Sequence, residues 1–242
     1  MGCICRDWRD YMNRICRIII RSFMGYFVCA LGITMTINAG LGLAPWDVLH
    51  QGLAGLLGLT IGRANILVGL SLVILNHILG ERIGWGTLCN MLFVGIFVDF
   101  LMLNEMVPIF NNLILSFIMM LLGVFVLGIG SYLYIGVGLG SGPRDGLMVA
   151  LVKRTNKSVG LIRGGLELMA VTLGYMLGGY TGFGTLVLAI ANGYLTQLAF
   201  KVTRFNVKEV EHRFIDDDIR LIREKFGDKL VDDVEVDAED RN

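Results

Sequence analysis

Two acidic residues share one local setting. Asp47 closes Asn38-Ala-Gly-Leu-Gly-Leu-Ala-Pro-Trp-Asp47, and Asp145 closes Gly136-Val-Gly-Leu-Gly-Ser-Gly-Pro-Arg-Asp145. A proline followed two residues later by a carboxylate is a helix-start pattern. The missing proline N–H costs nothing in a first turn, and the acid there meets the positive end of the helix dipole. Pro45 and Pro143 therefore predict two helix starts, with Ser141 the expected N-cap of the second. Upstream, Gly40, Gly42, Gly138 and Gly140 are poor helix formers and predict uncoiled turns. In lipid such backbone is tolerated only inside protein or around a cavity. Half-helices entered through such turns build the solute sites of secondary transporters. The plainer reading is that each aspartate caps its own helix and each glycine lets helices approach. Arg144 stands where the first copy has Trp46, so the two half-sites need not bind alike.

Other polar residues in apolar surroundings invite the same weighing. Arg163 and Glu167 are four apart, the spacing of an intrahelical ion pair. Inside a span such a pair faces the bundle interior or an aqueous cavity, as a structural pair or as a gating or binding element. Asp99 and Gln197 occupy equivalent places near span ends, where interfacial solvation is the expected state. Asn65, Asn76, Asn90 and Asn192 suit hydrogen bonding between helices. His50 and His77 read as lone histidines, His77 at a membrane edge. Gly164-Gly165 and Gly178-Gly179 predict close helix packing. Enzyme signatures are missing: neither H-E-x-x-H nor G-x-S-x-G occurs, and three dispersed histidines make no zinc centre. No enzymatic activity, metal or cofactor is expected.

The solvent for these residues is lipid. The chain is 55% hydrophobic and 17% charged, against about 25% charge in a soluble domain. Six runs are long enough to cross the hydrocarbon layer: Ile18–Ile37, Ala64–Leu79, Thr87–Leu103, Leu113–Tyr134, Val159–Leu177 and Thr185–Phe200. Asp47–Leu57 and Asp145–Val152 are too short, and both follow the glycine-rich turns. The expected fold is an all-α polytopic membrane protein. Its segments are a basic head (1–17), a first membrane unit (18–104), a second (105–204) and an acidic tail (205–242).

The two units read as copies of one another. A shift of 98 residues without a gap aligns Gly25 with Gly123, Gly32 with Gly130, Pro45 with Pro143 and Asp47 with Asp145. It also aligns Gly84-Trp-Gly-Thr-Leu88 with Gly182-Phe-Gly-Thr-Leu186. Only three prolines exist, and two of them align. Basic residues mark the cytoplasmic ends of spans, and their positions swap between the copies. The first copy has its cations before the first span and at Arg82. The second has Lys153, Arg154 and Lys157 after the half-helix, and Lys201 and Arg204 at its end. Parallel copies would keep matching basic loops, so inverted repeats are expected, each with three spans and one half-helix. Both termini then face the cytosol; Arg63 runs against the bias.

The tail has apolar residues Val210, Phe214, Ile219, Ile222 and Phe226 in an approximate helical stripe, broken by Asp216–Asp218. A short amphipathic helix followed by a disordered acidic end is expected. Cys29 and Cys89 lie in apolar runs as small hydrophobes. Cys3 and Cys5 make a weak lipidation or metal signal.

At Gly40-Leu-Gly-Leu-Ala-Pro-Trp-Asp-Val-Leu and its second copy the chain resembles the YczE/YyaS/YitT group of bacterial integral membrane proteins, in its YczE-like branch. The resemblance covers roughly residues 15–204. It implies a location in the bacterial cytoplasmic (inner) membrane and supplies no catalytic or ligand residues. The functional expectation is a permease for a small solute or ion, with Asp47 and Asp145 as polar determinants. The alternative is a non-transporting scaffold or regulator acting through its tail. Expected partners are the lipid bilayer and a small solute or ion, with a second copy of the chain and a cytosolic partner of the tail as protein candidates; no nucleic acid is expected.

Overall fold

The computed structural model describes residues 2–205, 210, 213–217 and 220, with side chains from residue 12 onward. Most of the predicted tail stripe thus lies outside the described residues. Eight helices are described: α1 (Gly2–Asn38), α2 (Pro45–Leu57), α3 (Ile61–Ile78), α4 (Trp85–Leu103), α5 (Leu113–Ile135), α6 (Pro143–Thr155), α7 (Val159–Met176) and α8 (Phe183–Val202). Six are long and apolar enough to span a bilayer, namely Met12–Asn38 of α1 together with α3, α4, α5, α7 and α8. The remaining two, α2 and α6, have 13 residues each. At about 1.5 Å per residue they fall short of a hydrocarbon layer about 30 Å thick.

Both short helices begin as the proline pattern predicts, with Pro at the first turn and Asp47 or Asp145 just behind it. Ser141 is not the cap. Gly142 holds that position, with no side-chain cap bond. With Pro143 opening the helix, Ser141 lies one residue too far upstream. Its carbonyl instead accepts from Thr87 Oγ1 at 2.6 Å.

The glycine turns are held by the opposite repeat. Gly184 N–H at the start of α8 donates to Leu41 O at 2.8 Å, and Gly86 N–H at the start of α4 donates to Leu139 O at 2.8 Å. Each contact is the other displaced by 98 residues. Gly42 (φ 135°) and Gly140 (φ 119°) adopt backbone that disfavours a side chain. A Cβ on Gly42 would lie 2.6 Å from Thr185 N, and one on Gly140 would lie 2.7 Å from Thr87 Oγ1.

Helices α1 and α5 cross antiparallel along a glycine seam. Gly25 abuts the Gly130 carbonyl and Gly32 abuts the Gly123 carbonyl. Under the 98-residue shift these contacts exchange, since Gly25 matches Gly123 and Gly32 matches Gly130. A two-fold interface has that signature: i touches j, and j touches i. Most other packing occurs in exchanged couples: α1–α4 with α5–α8, α2–α3 with α6–α7, and α2–α7 with α3–α6.

One couple is broken. Helix α3 packs along α4, whereas α7 makes no comparable contact with α8. Gly62 and Gly95 press against each other's carbonyls. Their equivalents Gly160 and Gly193 have no atom within 4 Å of the point where a Cβ would stand. Gly164 and Gly165 also face open space, so the close packing expected of them is not made. Of the other expected pair, Gly178 forms a turn at φ 89° and Gly179 does pack, against the Val48 carbonyl.

Asp99 is likewise not simply solvated. It accepts from Thr60 Oγ1 at 2.5 Å and from Gly62 N–H at 2.8 Å, satisfying an N-terminal amide of α3 that has no partner within its own helix. Its carboxylate thereby latches the end of α4 to the start of α3. Asp99→Ala should cost about 1–3 kcal/mol, because hydrogen bonds to a charged group are among the stronger ones. Gln197→Ala, at the equivalent position, should stay within about 0.5 kcal/mol. Thermal unfolding in detergent compares the two, and equal losses would contradict the latch.

Candidate functional site

The two half-helix starts meet through Arg144. Its guanidinium lies 5.1 Å from the centre of the Trp46 ring, so α6 reaches across to α2 by cation–π stacking. Arg144 Nη2 is 3.2 Å from His50 Nε2 and donates to Asn65 Oδ1 at 3.3 Å. A guanidinium only donates, so His50 Nε2 accepts, and the ring proton belongs on Nδ1. That nitrogen lies 3.3 Å from Asp47 Oδ1. The carboxylate oxygen nevertheless makes no good hydrogen bond to protein. Asp47 and His50 are 4% and 2% exposed, so water offers little compensation. Buried charge of this kind is held by its partners, here the relay Asp47–His50–Arg144–Asn65.

His50 is therefore not a lone histidine. Its i,i+3 spacing from Asp47 was legible, whereas the arrival of Arg144, 94 residues away, was not.

Asp145 sits differently. It lines a cavity of about 610 Å³ that also touches Trp46, Asn65, Asn76, Asn90 and Tyr134. Ser141, Pro143, Arg144, Arg163 and Glu167 line it too, as do Asn192 and Thr196 of α8. The lining extends to Glu81, Arg82, Lys153 and Phe214 at the end of the bundle where α1 begins, and the side chains of Arg82 and Lys153 are exposed there. The unpacked α7–α8 seam forms its side.

Most cations of this cavity have an anionic partner. Lys153 Nζ lies 2.8 Å from Glu81. Arg163 Nε lies 3.3 Å from Glu167, realising the predicted pair. Arg82 holds Asp217 at 3.0 Å and stacks over Phe214. Those last contacts bring the described part of the tail back onto the bundle, where Ile215 N–H donates to Ile83 O and Arg213 N–H to Gly138 O.

The remaining sequence-derived candidates divide by repeat. Pro45 and Gly42 are buried and Gly40 is exposed; none lines the cavity, and neither does Asp47. Gly138 and Gly140 are buried and shape the turn behind the cavity wall. The cavity therefore belongs to the second half-site. Asn76 and Thr87 were missing from the sequence-derived site. Asn76 Nδ2 donates to Pro143 O at 2.8 Å, and with Thr87 it fixes the turn into α6 from two other helices.

Relatives are similar over the same membrane region. An uncharacterized membrane protein of Bacillus subtilis (strain 168), YczE, is 35% identical over 181 residues, covering 73% of this chain and 82% of its own length. An uncharacterized protein of Haemophilus influenzae (strain ATCC 51907 / DSM 11121 / KW20 / Rd) is 32% identical over 177 residues, covering 72% of this chain and 79% of its own length. The uncharacterized protein YyaS of Bacillus subtilis is 29% identical over 175 residues, covering 71% and 87%. No solved structure matches the chain significantly. Residues 15–201 match the model of a family of unknown function, DUF6198. With six membrane-length helices, two glycine-entered half-helices and these relatives, the chain belongs to the DUF6198 family of YczE-like membrane proteins.

Proposed function

We propose that the protein is a permease of the cytoplasmic membrane, built from two inverted repeats and at rest open toward the cytosol. The observation that carries this reading is the broken symmetry of the gates. At the far end α3 and α4 are closed by Gly62, Gly95 and the Asp99 latch. At the head end the equivalent α7–α8 seam is apart, and the cavity opens there. Basic side chains support a cytosolic head end: Arg14, Arg17, Arg21, Arg82, Lys153, Arg154, Lys201 and Arg204 all belong to it.

Closing α7 onto α8 would bring Ser158 and Gly160 to Gln197 and Gly193, as Thr60 and Gly62 now meet Asp99 and Gly95. Exchange of the closed seam between repeats gives alternating access around a fixed centre. In the resting state the buried relay at Asp47 lies on the closed half, and Asp145 faces the solute.

A disulfide test follows. With native thiols replaced, Ser158→Cys and Gln197→Cys should cross-link in membrane vesicles under mild oxidation, trapping a compact form that reduction releases. A seam that never closes would leave the pair unlinked at every temperature and membrane potential, and alternating access would then be wrong.

A further inference from the structure

Resting on the permease reading, we infer that the cavity takes a small organic cation, with a primary ammonium head group seated at Asp145 and an alkyl body along the wall above it. The argument is one of charge and shape. Lys153, Arg163 and Arg82 each have an anionic partner within 4 Å. Arg144 is drawn to α2 by Trp46, His50 and Asn65 and lies in Coulombic range of Asp47. Glu81 and Glu167 are taken by Lys153 and Arg163. Among the described residues Asp145 makes no hydrogen bond and no ion pair within 4 Å, although Arg163 and Arg144 act on it at longer range. Of the three carboxylates that line the cavity, Glu81, Asp145 and Glu167, Asp145 is thus the one without an ion pair within 4 Å among the described residues.

Geometry places acceptors around that charge. At Gly142 the missing side chain leaves a hollow, and the point where a Cβ would stand is 3.3 Å from Tyr134 Oη, 3.7 Å from Asn90 Oδ1 and 3.7 Å from Asp145 Oδ2. Three oxygens from α4, α5 and α6 thus converge on one small space. An ammonium has three donors and no acceptor, which matches a carboxylate, an amide oxygen and a hydroxyl. Nearby, Asn76 is 4% exposed and its Oδ1 has no donor, so the surroundings are rich in acceptors. Beyond the head group, Ile33, Leu72, Val73, Val94 and Leu127 line the same cavity and suit an apolar body.

A matched set of probes tests the inference: n-butylammonium, n-butyrate and n-butanol share one body and differ in the head group. Thermal unfolding of the full chain in detergent should shift upward with butylammonium and not with the other two. Sodium chloride at equal concentration should not reproduce the shift. Asp145→Asn should weaken the apparent affinity by about tenfold or more, the usual scale for a lost charged hydrogen bond. Gly142→Ala provides a second variant, since its backbone (φ −61°, ψ 158°) accepts a side chain. The added methyl fills the hollow, and binding should fall similarly while the fold persists. Glu105→Gln, exposed at the far end, should leave the shift intact. No shift with butylammonium, a shift shared by sodium or butyrate, or full binding in both variants would each overturn the inference. Butylammonium binding without any 158–197 cross-link would instead sink the permease reading and spare the site.

Discussion

Gly62→Ala should destabilise the bundle by about 1–3 kcal/mol, the usual cost of forcing atoms into a packed contact. The same change at Gly160 should be neutral or stabilising by up to about 1 kcal/mol, because alanine is the better helix former. The two glycines are equivalent under the internal repeat, so composition and propensity cannot separate them. Their neighbours do. A Cβ on Gly62 would run into the Gly95 carbonyl and the Asp99 carboxyl. The carbonyl belongs to helical backbone and cannot move aside without disturbing α4. At Gly160 nothing lies within 4 Å. Thermal melts of the two variants, purified alike, decide the matter. Equal destabilisation would mean that the α7–α8 seam is closed in the resting protein. Gly160→Ala should also lower the yield of the 158–197 disulfide, since its methyl obstructs the closed seam while sparing the open one.

Arg144→Leu should cost about 3–5 kcal/mol, the scale for stripping a partner from buried charge. The loss reaches three groups together: the Trp46 face, His50 Nε2 and Asn65 Oδ1. It also leaves Asp47 with no cation in the relay. Asp47→Asn placed on top should therefore recover part of the loss. A double-mutant cycle should return a coupling of at least about 1 kcal/mol, beyond the few tenths expected of independent sites. Strict additivity would separate Arg144 from Asp47 and leave its contacts with Trp46, His50 and Asn65 as its structural role. Arg144→Lys is not a conservative control, because an ammonium lacks the planar fork that stacks and donates at once.

Much of the architecture was legible because lipid imposes simple rules. Apolar run length located the six spans, and Pro45 and Pro143 marked the two short helices within a residue of where they begin. The glycine pairs 25/123 and 32/130 were legible as a repeat, and in the fold they make the α1–α5 seam. Arg163 and Glu167 were readable as a pair because i,i+4 spacing is a local property. Ser141 shows the limit of local reading, since the cap position moved by one residue once proline opened the helix.

What the chain alone determined is its local chemistry: where helices can start, which stretches must lie in lipid, and which residues correspond under the 98-residue shift. That correspondence cannot say which of two matching residues is engaged. Asp47 and Asp145 have nearly the same sequence setting, yet one is buried in a relay and the other faces a cavity. The difference arises because Arg144, a second-copy residue, reaches back to the first. Gly62 and Gly160 part company for a like reason, one seam being shut and the other open. Such choices depend on contacts between residues tens of positions apart, whose energies exist only after the helices have packed.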